Sequence, residues 1–460
     1  MLRDRSVSSV ELVDACLRTI DERNGGAPSA DGAPGAVNAW VRIYKDVARA
    51  AAREADDRLA RDGATAPLLC GIPLGVKDLY GVAGLPLTAS SRVLEGNVAS
   101  RDADAWARLR DQGAVLVGHT HTHEFAAGGT TDQVGNPWAL DRVAGGSSGG
   151  SAAALAARMV PAALGSDTCG SLRIPSACCG TSAIKPTHGR IPLDGIIPLA
   201  PTLDHPGPMA RTIADCAALL TAMSTAGADC TPLSPPPSPL GDLPVSSRGG
   251  PRPLDGLTIA VTDRLDGLDV FETEVQDAFE RARRSCSELG ARVVSLPAPW
   301  TFDWNDLSIV LMAEVWAYHR RHADKHDLYR PAIAEFVEIA RNFTGAVPYL
   351  EAQQRRAAGT RLWEEWFAAA GVDLVLEPTL PIVPYQRGPG YDRGHAGGPA
   401  DPMIALTALW DMTGMPVACL PASPRVGVSL IAPRGREASL VQAAIDLQEG
   451  ALPPPVWSVD

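Results

Sequence analysis

The stretch between Val143 and Arg190 decides the reading of this chain. It runs Val143-Ala144-Gly145-Gly146-Ser147-Ser148-Gly149-Gly150-Ser151 and then, after an alanine-rich segment, Gly165-Ser166-Asp167-Thr168-Cys169-Gly170-Ser171-Leu172-Arg173-Ile174-Pro175. Glycine lets the backbone take positive φ and approach other groups closely. Successive N–H groups turned around a serine can hold a developing oxyanion. A glycine-serine turn is also an ordinary helix cap, so either run alone carries little. A phosphate loop needs Gly-Lys-Ser/Thr, or Gly-x-Gly-x-x-Gly after a strand, and neither occurs in this stretch.

Working outward, short apolar runs alternate with helical ones. Residues 72–76, 114–117 and 160–164 read as strands, and 102–112 and 151–158 as helices. That alternation predicts an α/β layered fold. Upstream, Ser8-Ser9-Val10-Glu11 fits a capping box ahead of an amphipathic helix through Leu12, Val13, Cys16, Leu17 and Ile20. A second helix is expected over residues 46–61. Residues 1–62 therefore read as a helical cap on a catalytic core of 63–228. Residues 229–256 are dense in Pro, Ser and Gly and read as an insertion or linker. The alternation resumes after it, with strands at 257–261 and 292–296. Between them Val275, Ala278, Phe279, Ala282, Cys286 and Leu289 form a helical stripe. Residues 257–460 thus read as a variable substrate-pocket region returning to the sheet, and 1–460 as one domain.

The 460 residues carry a net charge of −12 and are 45% hydrophobic and 20% charged, an ordinary soluble mix. The acidic balance and the lack of a Lys/Arg run argue against nucleic acid as a partner. No apolar stretch reaches the roughly 18 residues of a membrane span. The N-terminus does not read as a secretion signal. Nine cysteines, an odd number set mostly in apolar runs, read as free thiols in a reducing compartment, with the cytoplasm as the expected location.

With Gly75-Val76-Lys77-Asp78 upstream, the two serine loops resemble the amidase-signature family. Lys185-Pro186-Thr187-His188-Gly189-Arg190, Asp204 to Arg211, Glu377-Pro378-Thr379 and Thr413-Gly414-Met415-Pro416 are similar to its other signposts, so the resemblance covers nearly the whole chain. It implies a large mixed central β-sheet covered on both faces by α-helices. It implies Ser171 as nucleophile, Ser147 as bridging serine after a cis peptide bond, and Lys77 as base, with no metal and no cofactor. The N–H groups of Thr168, Cys169, Gly170 and Ser171 would form the oxyanion hole. Ser148, Asp167 and Arg173 would support the loops, a plain structural ion pair being the alternative for Arg173.

Elementary chemistry fits these roles. A serine hydroxyl is a poor nucleophile until a base takes its proton. Lysine can be that base only when neutral, so its usual pKa of about 10.4 must fall through burial. The apolar residues 72–76 supply such surroundings, with Asp78 expected as a backbone anchor. Cys169 stands where the family commonly has glycine and invites a thiol reading, but Ser171 already fills the nucleophile position.

Other residues leave alternatives. His119, His121 and His123 alternate with threonines, and on a strand would share one face, so a zinc site is conceivable. The resemblance places them instead in a segment entering the cleft. His188 and His205 read as structural loop residues, and His319, His322 and His326 as solvated on a charged helix. Trp304, Leu311, Trp316, Tyr318, Phe343 and Tyr349 fall where the family selects its substrates, and read as pocket wall or as core. Asp411, where free-standing members often carry asparagine, reads as an amine ligand or a loop cap.

The expected function is a free-standing amidase that hydrolyses a small or medium amide through an acyl-enzyme, releasing ammonia or an amine. The alternatives are a glutamine-hydrolysing component of a tRNA-dependent amidotransferase, a urea-type hydrolase resembling allophanate hydrolase, and acyl transfer to an amine. The first usually reads Arg-Gln-Pro where this chain has Arg173-Ile174-Pro175. The second tends to have glycine where Leu172 stands. The expected partner is a small amide, and a homodimer is compatible with the sequence.

Overall fold

The structure is a computed structural model that describes residues 1–224, 240, 243–388 and 401–456. Much of the Pro-rich stretch expected over 229–256, and Cys230 within it, lie outside the described residues. In chain order the strands are β1 (Trp40–Ile43), β2 (Pro73–Lys77), β3 (Val115–Thr120), β4 (Gly135–Asn136), β5 (Ala139–Val143), β6 (Ala162–Asp167), β7 (Ser182–Lys185), β8 (His205–Ala210), β9 (Thr258–Thr262), β10 (Arg292–Leu296), β11 (Leu374–Pro378), β12 (Val417–Ser423) and β13 (Val426–Ile431). β4 and β5 pair separately. The others form one mixed sheet of eleven strands in the order β1-β3-β2-β6-β8-β7-β12-β13-β11-β9-β10.

The N-terminal helices α1 (Ser9–Arg23) and α2 (Lys45–Asp62) do more than cap the body. The chain between them supplies β1, which pairs antiparallel with β3 at the sheet edge. The capping box forms as read: the Ser8 hydroxyl accepts from the Glu11 N–H, and the Glu11 carboxylate accepts from the Ser8 N–H. The core contributes α3 (Asp104–Asp111), α4 (Gly149–Ala156), α5 (Arg173–Cys179) and α6 (Ile213–Met223). Beyond the Pro-rich stretch, the expected stripe becomes α7 (Thr273–Glu288), which buries Val275, Ala278, Phe279, Ala282 and Cys286. It is followed by α8 (Trp304–His319), α9 (Pro331–Ala340), α10 (Ala346–Ala370), α11 (Ala408–Met412) and α12 (Glu437–Gly450).

Three core strands run further toward their C-terminal ends than hydropathy suggests. β2 continues to Lys77, β3 to Thr120 and β6 to Asp167, and every residue of these three strands is buried. β2 lies between β3 and β6, parallel to both. Loops and helices cover these ends, so polar residues remain in the ladder provided they find partners. Lys77 and Asp167 therefore sit at the carboxyl edge of adjacent parallel strands, where open α/β sheets bind ligands.

The expected histidine face does not exist. β3 ends at Thr120, so His121 and His123 leave the strand and the three rings meet different partners. His119 contacts the Tyr44 hydroxyl at 2.9 Å, and His121 lies 3.0 Å from the Ser29 carbonyl and 3.1 Å from the Gln133 amide. His205 opens β8 rather than lying in a loop. His319 is buried, not solvated, with Nδ1 2.8 Å from the Tyr329 hydroxyl. The described cysteines are all free, and all but Cys169 are buried. No described helix is long and apolar enough to cross a membrane.

Candidate active site

Three elements converge on one point. β2 delivers Lys77, the loop before α4 delivers Ser147 and Ser148, and the end of β6 delivers Ser166 and the Ser171 loop. Only glycine fits at position 146, because a Cβ there would collide with the Thr130 carbonyl. The Gly146–Ser147 peptide bond is cis. The Ser147 carbonyl accepts from the His123 N–H at 3.0 Å and the Thr131 hydroxyl at 3.2 Å.

Lys77 is fully buried, and its Nζ donates to three hydroxyls: Ser147 and Ser148 at 2.8 Å and Ser166 at 2.9 Å. Burial pushes its pKa down to about 7, against the opposing pull of Asp167 and Asp204. A lysine whose acceptors are uncharged hydroxyls is held in place without being held charged. Ser166 is an addition to the residues expected from sequence, although it stands inside the quoted motif. Its role follows from β6 running beyond the apolar run to Asp167.

Ser171 lies in the opposing loop and is slightly exposed, 6% against 0% for Ser147. The link between the loops is a backbone bond from the Ser148 N–H to the Ser171 carbonyl at 3.3 Å. Among the described residues no hydrogen bond joins the Ser147 and Ser171 hydroxyls.

The Ser171 loop is shaped by a buried ion cluster. Asp167 accepts from the Gly170 N–H at 2.5 Å and the Leu172 N–H at 3.2 Å. The Gly170 N–H is therefore spent on Asp167 and is not an oxyanion donor in this state, which corrects the expectation from sequence. The Thr168, Cys169 and Ser171 N–H groups have no backbone acceptor among the described residues. Gly170 itself has φ +134°, where only glycine is comfortable. Asp167 also binds Arg173 in two-pronged fashion at 2.8 and 2.9 Å. Arg173 reaches on to Asp411 at 2.5 Å and to the Thr407 carbonyl at 3.0 Å. Burial opposes the charge on Arg173, but the two carboxylates outweigh it and raise its pKa. Asp411 is thus a partner of Arg173, a third role beside the amine ligand and the loop cap expected of it.

Cys169 is a poor candidate for the nucleophile. Although the residue is partly exposed, desolvation by the protein packed around its sulfur, then the Asp411 and Asp167 carboxylates, push its thiol well above the usual range, disfavouring the thiolate that would react. Asp204 accepts from the Thr168 hydroxyl at 2.6 Å and from the Leu199 and Ala200 N–H groups, and burial pushes its pKa up to about 6. Asp78 accepts from the Thr88 and Ser90 N–H groups, as expected of a backbone anchor. Trp304, Trp316, Tyr318 and Tyr349 pack half-buried against the core. Among the described residues no group of three or more His, Cys, Asp or Glu side chains is arranged to hold a metal ion.

A family model described as Amidase matches residues 29–441. The chain is 36% identical over 455 residues to a glutamyl-tRNA(Gln) amidotransferase component from Roseiflexus sp. (strain RS-1), covering 92% of this chain and 89% of that protein. It is 36% identical over 429 residues to an amidase of Pseudomonas putida, covering 91% and 87%. Among solved structures, 6-aminohexanoate cyclic dimer hydrolase superposes with a TM-score of 0.81 at 27% identity, covering 98% of this chain and 95% of that one.

Proposed function

Since this chain belongs to the amidase-signature family and is a hydrolase of amide C–N bonds, we propose that Ser171 is its nucleophile, Ser147 the bridging serine and Lys77 the base. The observation that carries this reading is Lys77. It is a fully buried lysine, brought near neutrality by burial, with its Nζ 2.8 Å from Ser147 Oγ.

Ser171 Oγ attacks the amide carbonyl, while its proton passes to Ser147 and the proton of Ser147 to Lys77. The oxyanion is held by backbone N–H groups drawn from Thr168, Cys169 and Ser171, each such donor contributing roughly 3 kcal/mol. Collapse breaks the C–N bond as the proton returns by the same route to the departing nitrogen. Water then repeats the sequence on the acyl-enzyme and frees the acid. The Ser147–Ser171 hydrogen bond closes when substrate seats, since such contacts tighten in the Michaelis complex. Ser148, Asp167 and Arg173 hold the two loops.

Ser171→Ala should abolish turnover and leave the fold intact, read by ammonia or amine release and by circular dichroism. A fluorophosphonate probe should label Ser171 in the parent protein. Labelling mapped to Cys169, or activity above a few per cent in Ser171→Ala, would overturn the assignment. A panel of amides that includes glutamine separates the free-standing amidase from the amidotransferase reading. The remaining parts of the proposal are a cytoplasmic location and a homodimer, the latter checked by sedimentation.

A further inference from the structure

Behind the Ser171 loop lies a second buried cluster that the proposed reaction does not use. Lys185, at the end of β7, is fully buried, and among the described residues its ammonium makes a single long hydrogen bond, to the Pro186 carbonyl at 3.4 Å. Asp411 on α11 gives one carboxylate oxygen to Arg173. Its Oδ1 lies 3.3 Å from His205 Nδ1 yet takes no hydrogen bond. His205 Nδ1 faces the Asp167 carbonyl at 3.3 Å, while His205 Nε2 and His188 Nδ1 have no partner. The two rings stand edge to face, 5.0 Å apart. Unpaired buried polar atoms are costly singly. Three in one neighbourhood, beside an ammonium with one long hydrogen bond, mark a buried polar cluster whose hydrogen bonding is incomplete.

The charges around this cluster can be paired off one by one. Arg173 faces two carboxylates, Asp167 and Asp411. Glu437 is paired with Arg190, and Arg356 is turned onto the carbonyls of Thr202, Asp411 and Met412. Burial holds His205 and His188 well below the usual histidine range, so both are neutral. Arg356 faces Asp411 as well, but Glu314 is the stronger carboxylate influence on it, which leaves Lys185 as the cation to set against the remaining charge of Asp411.

We propose that protonated Lys185 is the counter-cation of Asp411 and, through it, a positioning residue for the Ser171 loop. The path is continuous: Asp411 holds Arg173, Arg173 holds Asp167, and Asp167 holds the Gly170 and Leu172 N–H groups. Among the described residues the ammonium makes no ion pair with Asp411, so it acts on that carboxylate at longer range, through space or through a bridging water. Burial pushes Lys185 down to about 7, with Asp411 the strongest opposing influence, ahead of the repulsion of Arg173 and the attraction of Asp167 and Glu437. Its proton is therefore lost as pH rises past neutrality. Asp411 is then left uncompensated, the clamp on Asp167 loosens, and kcat/KM falls on the alkaline side.

This inference rests on the reading of Ser171 as nucleophile, and the test separates the two. The pH profile of kcat/KM is measured for the parent protein, Lys185→Met, Asp411→Asn and the double variant. Lys185→Met should lower kcat about tenfold with KM little changed, less than the roughly 100-fold of a full displacement by about 1 Å, because Asp167 and Arg173 stay in place. Asp411→Asn should lose the alkaline limb, and the double variant should recover most of what Lys185→Met lost. An alkaline limb unchanged in Asp411→Asn, or a double variant no better than Lys185→Met, overturns the proposal. If Lys185→Met does not fold, the Asp411→Asn profile decides alone. In a Ser171→Ala background, NMR of 13Cε-labelled lysine reads the Lys185 titration without turnover, and Asp411→Asn should lower its midpoint by about one pH unit or more. An unmoved midpoint sinks the Lys185 proposal and leaves the nucleophile untouched. Residual activity in Ser171→Ala sinks the nucleophile and leaves this titration standing.

Discussion

Two lysines lie fully buried at the ends of strands in the same sheet, and burial pushes each down to about 7. Lys77 ends β2 among the hydroxyls of Ser147, Ser148 and Ser166. Lys185 ends β7 near Asp411, Arg173, His205 and His188. The difference lies in the neighbours. A hydroxyl can accept from an N–H or turn and donate to an amine lone pair, so Lys77 can lose a proton by reversing one of its three bonds and keep all three partners. Carboxylates favour only the ammonium, so the proton on Lys185 is part of the charge balance that holds a loop. Equal desolvation thus supports a base in one place and a counter-ion in the other.

The largest effect that tests this contrast is on Lys77. Lys77→Ala should lower kcat/KM by several orders of magnitude, since a general base and its hydroxyl network vanish together. The base works when neutral, so activity should rise with pH through about 7 in the parent protein, and that acid limb should disappear in the variant. Lys77→Arg should not rescue, because guanidinium stays charged throughout this range. Near-normal activity in Lys77→Ala, with the acid limb intact, would assign the base elsewhere.

A smaller loss is expected from Asp167→Asn. The amide cannot accept from the Gly170 and Leu172 N–H groups while also pairing with Arg173 through both oxygens. The Ser171 loop should shift without losing a reacting group, lowering kcat roughly 100-fold, as misplacement by about 1 Å does elsewhere. Wild-type turnover in this variant would show that the clamp does not govern the loop.

Much of this arrangement is legible in the sequence, and the illegible part has one physical cause. The glycine-serine loops, Lys77 and the α/β alternation stand in local patterns of a few residues. The ends of β2, β3 and β6 do not, because hydropathy stops at the first polar residue whereas hydrogen-bonded ladders continue wherever loops cover them. Ser166 escapes a reading by hydropathy for that reason, and the alternation of His119, His121 and His123 reads as one strand face only while the true strand end is not visible. The Gly170 N–H looks free for an oxyanion because sequence does not show that the carboxylate three residues before it turns back to accept it. Asp411 meets Arg173 across 238 residues of chain, a contact that no local pattern announces.

Stability should also separate the two lysines from surface ones, by less. In the unfolded chain a lysine titrates near 10.5, whereas folded Lys77 titrates near 7. Between those values the unfolded state binds the proton and the folded state does not. Stability therefore rises with pH across that window and levels off below about 7, by up to about 1.4 kcal/mol per pH unit for each such lysine. Buried tyrosines and thiols raised by desolvation, such as Tyr44 and Cys286, act in the opposite sense at higher pH, so the comparison belongs between pH 7 and 8.5. Urea unfolding of Lys77→Met should show a shallower rise than the parent over that interval. Equal slopes would mean that Lys77 is not desolvated in solution as it is in the structure.

The smallest expected effect is none at all, from metal removal. The one sequence feature that suggests a metal is the His119, His121, His123 alternation, and it depends on the three sharing a strand face. They do not, since β3 ends at Thr120. Each ring already has its own surroundings. His119 lies 3.2 Å from the Tyr80 carbonyl, His121 sits among Ser29, Ser90 and Gln133, and His123 is 3.6 Å from Asp132. Gathering them around one ion would mean pulling the segment after β3 away from the Ser147 carbonyl, which accepts from the His123 N–H at 3.0 Å. Dialysis against EDTA should therefore leave kcat/KM and the unfolding midpoint unchanged. If activity were lost and zinc restored it, the segment must rearrange in solution into a ligand set, and the contrast between a hydroxyl-held base and a carboxylate-held counter-ion would no longer account for catalysis by itself.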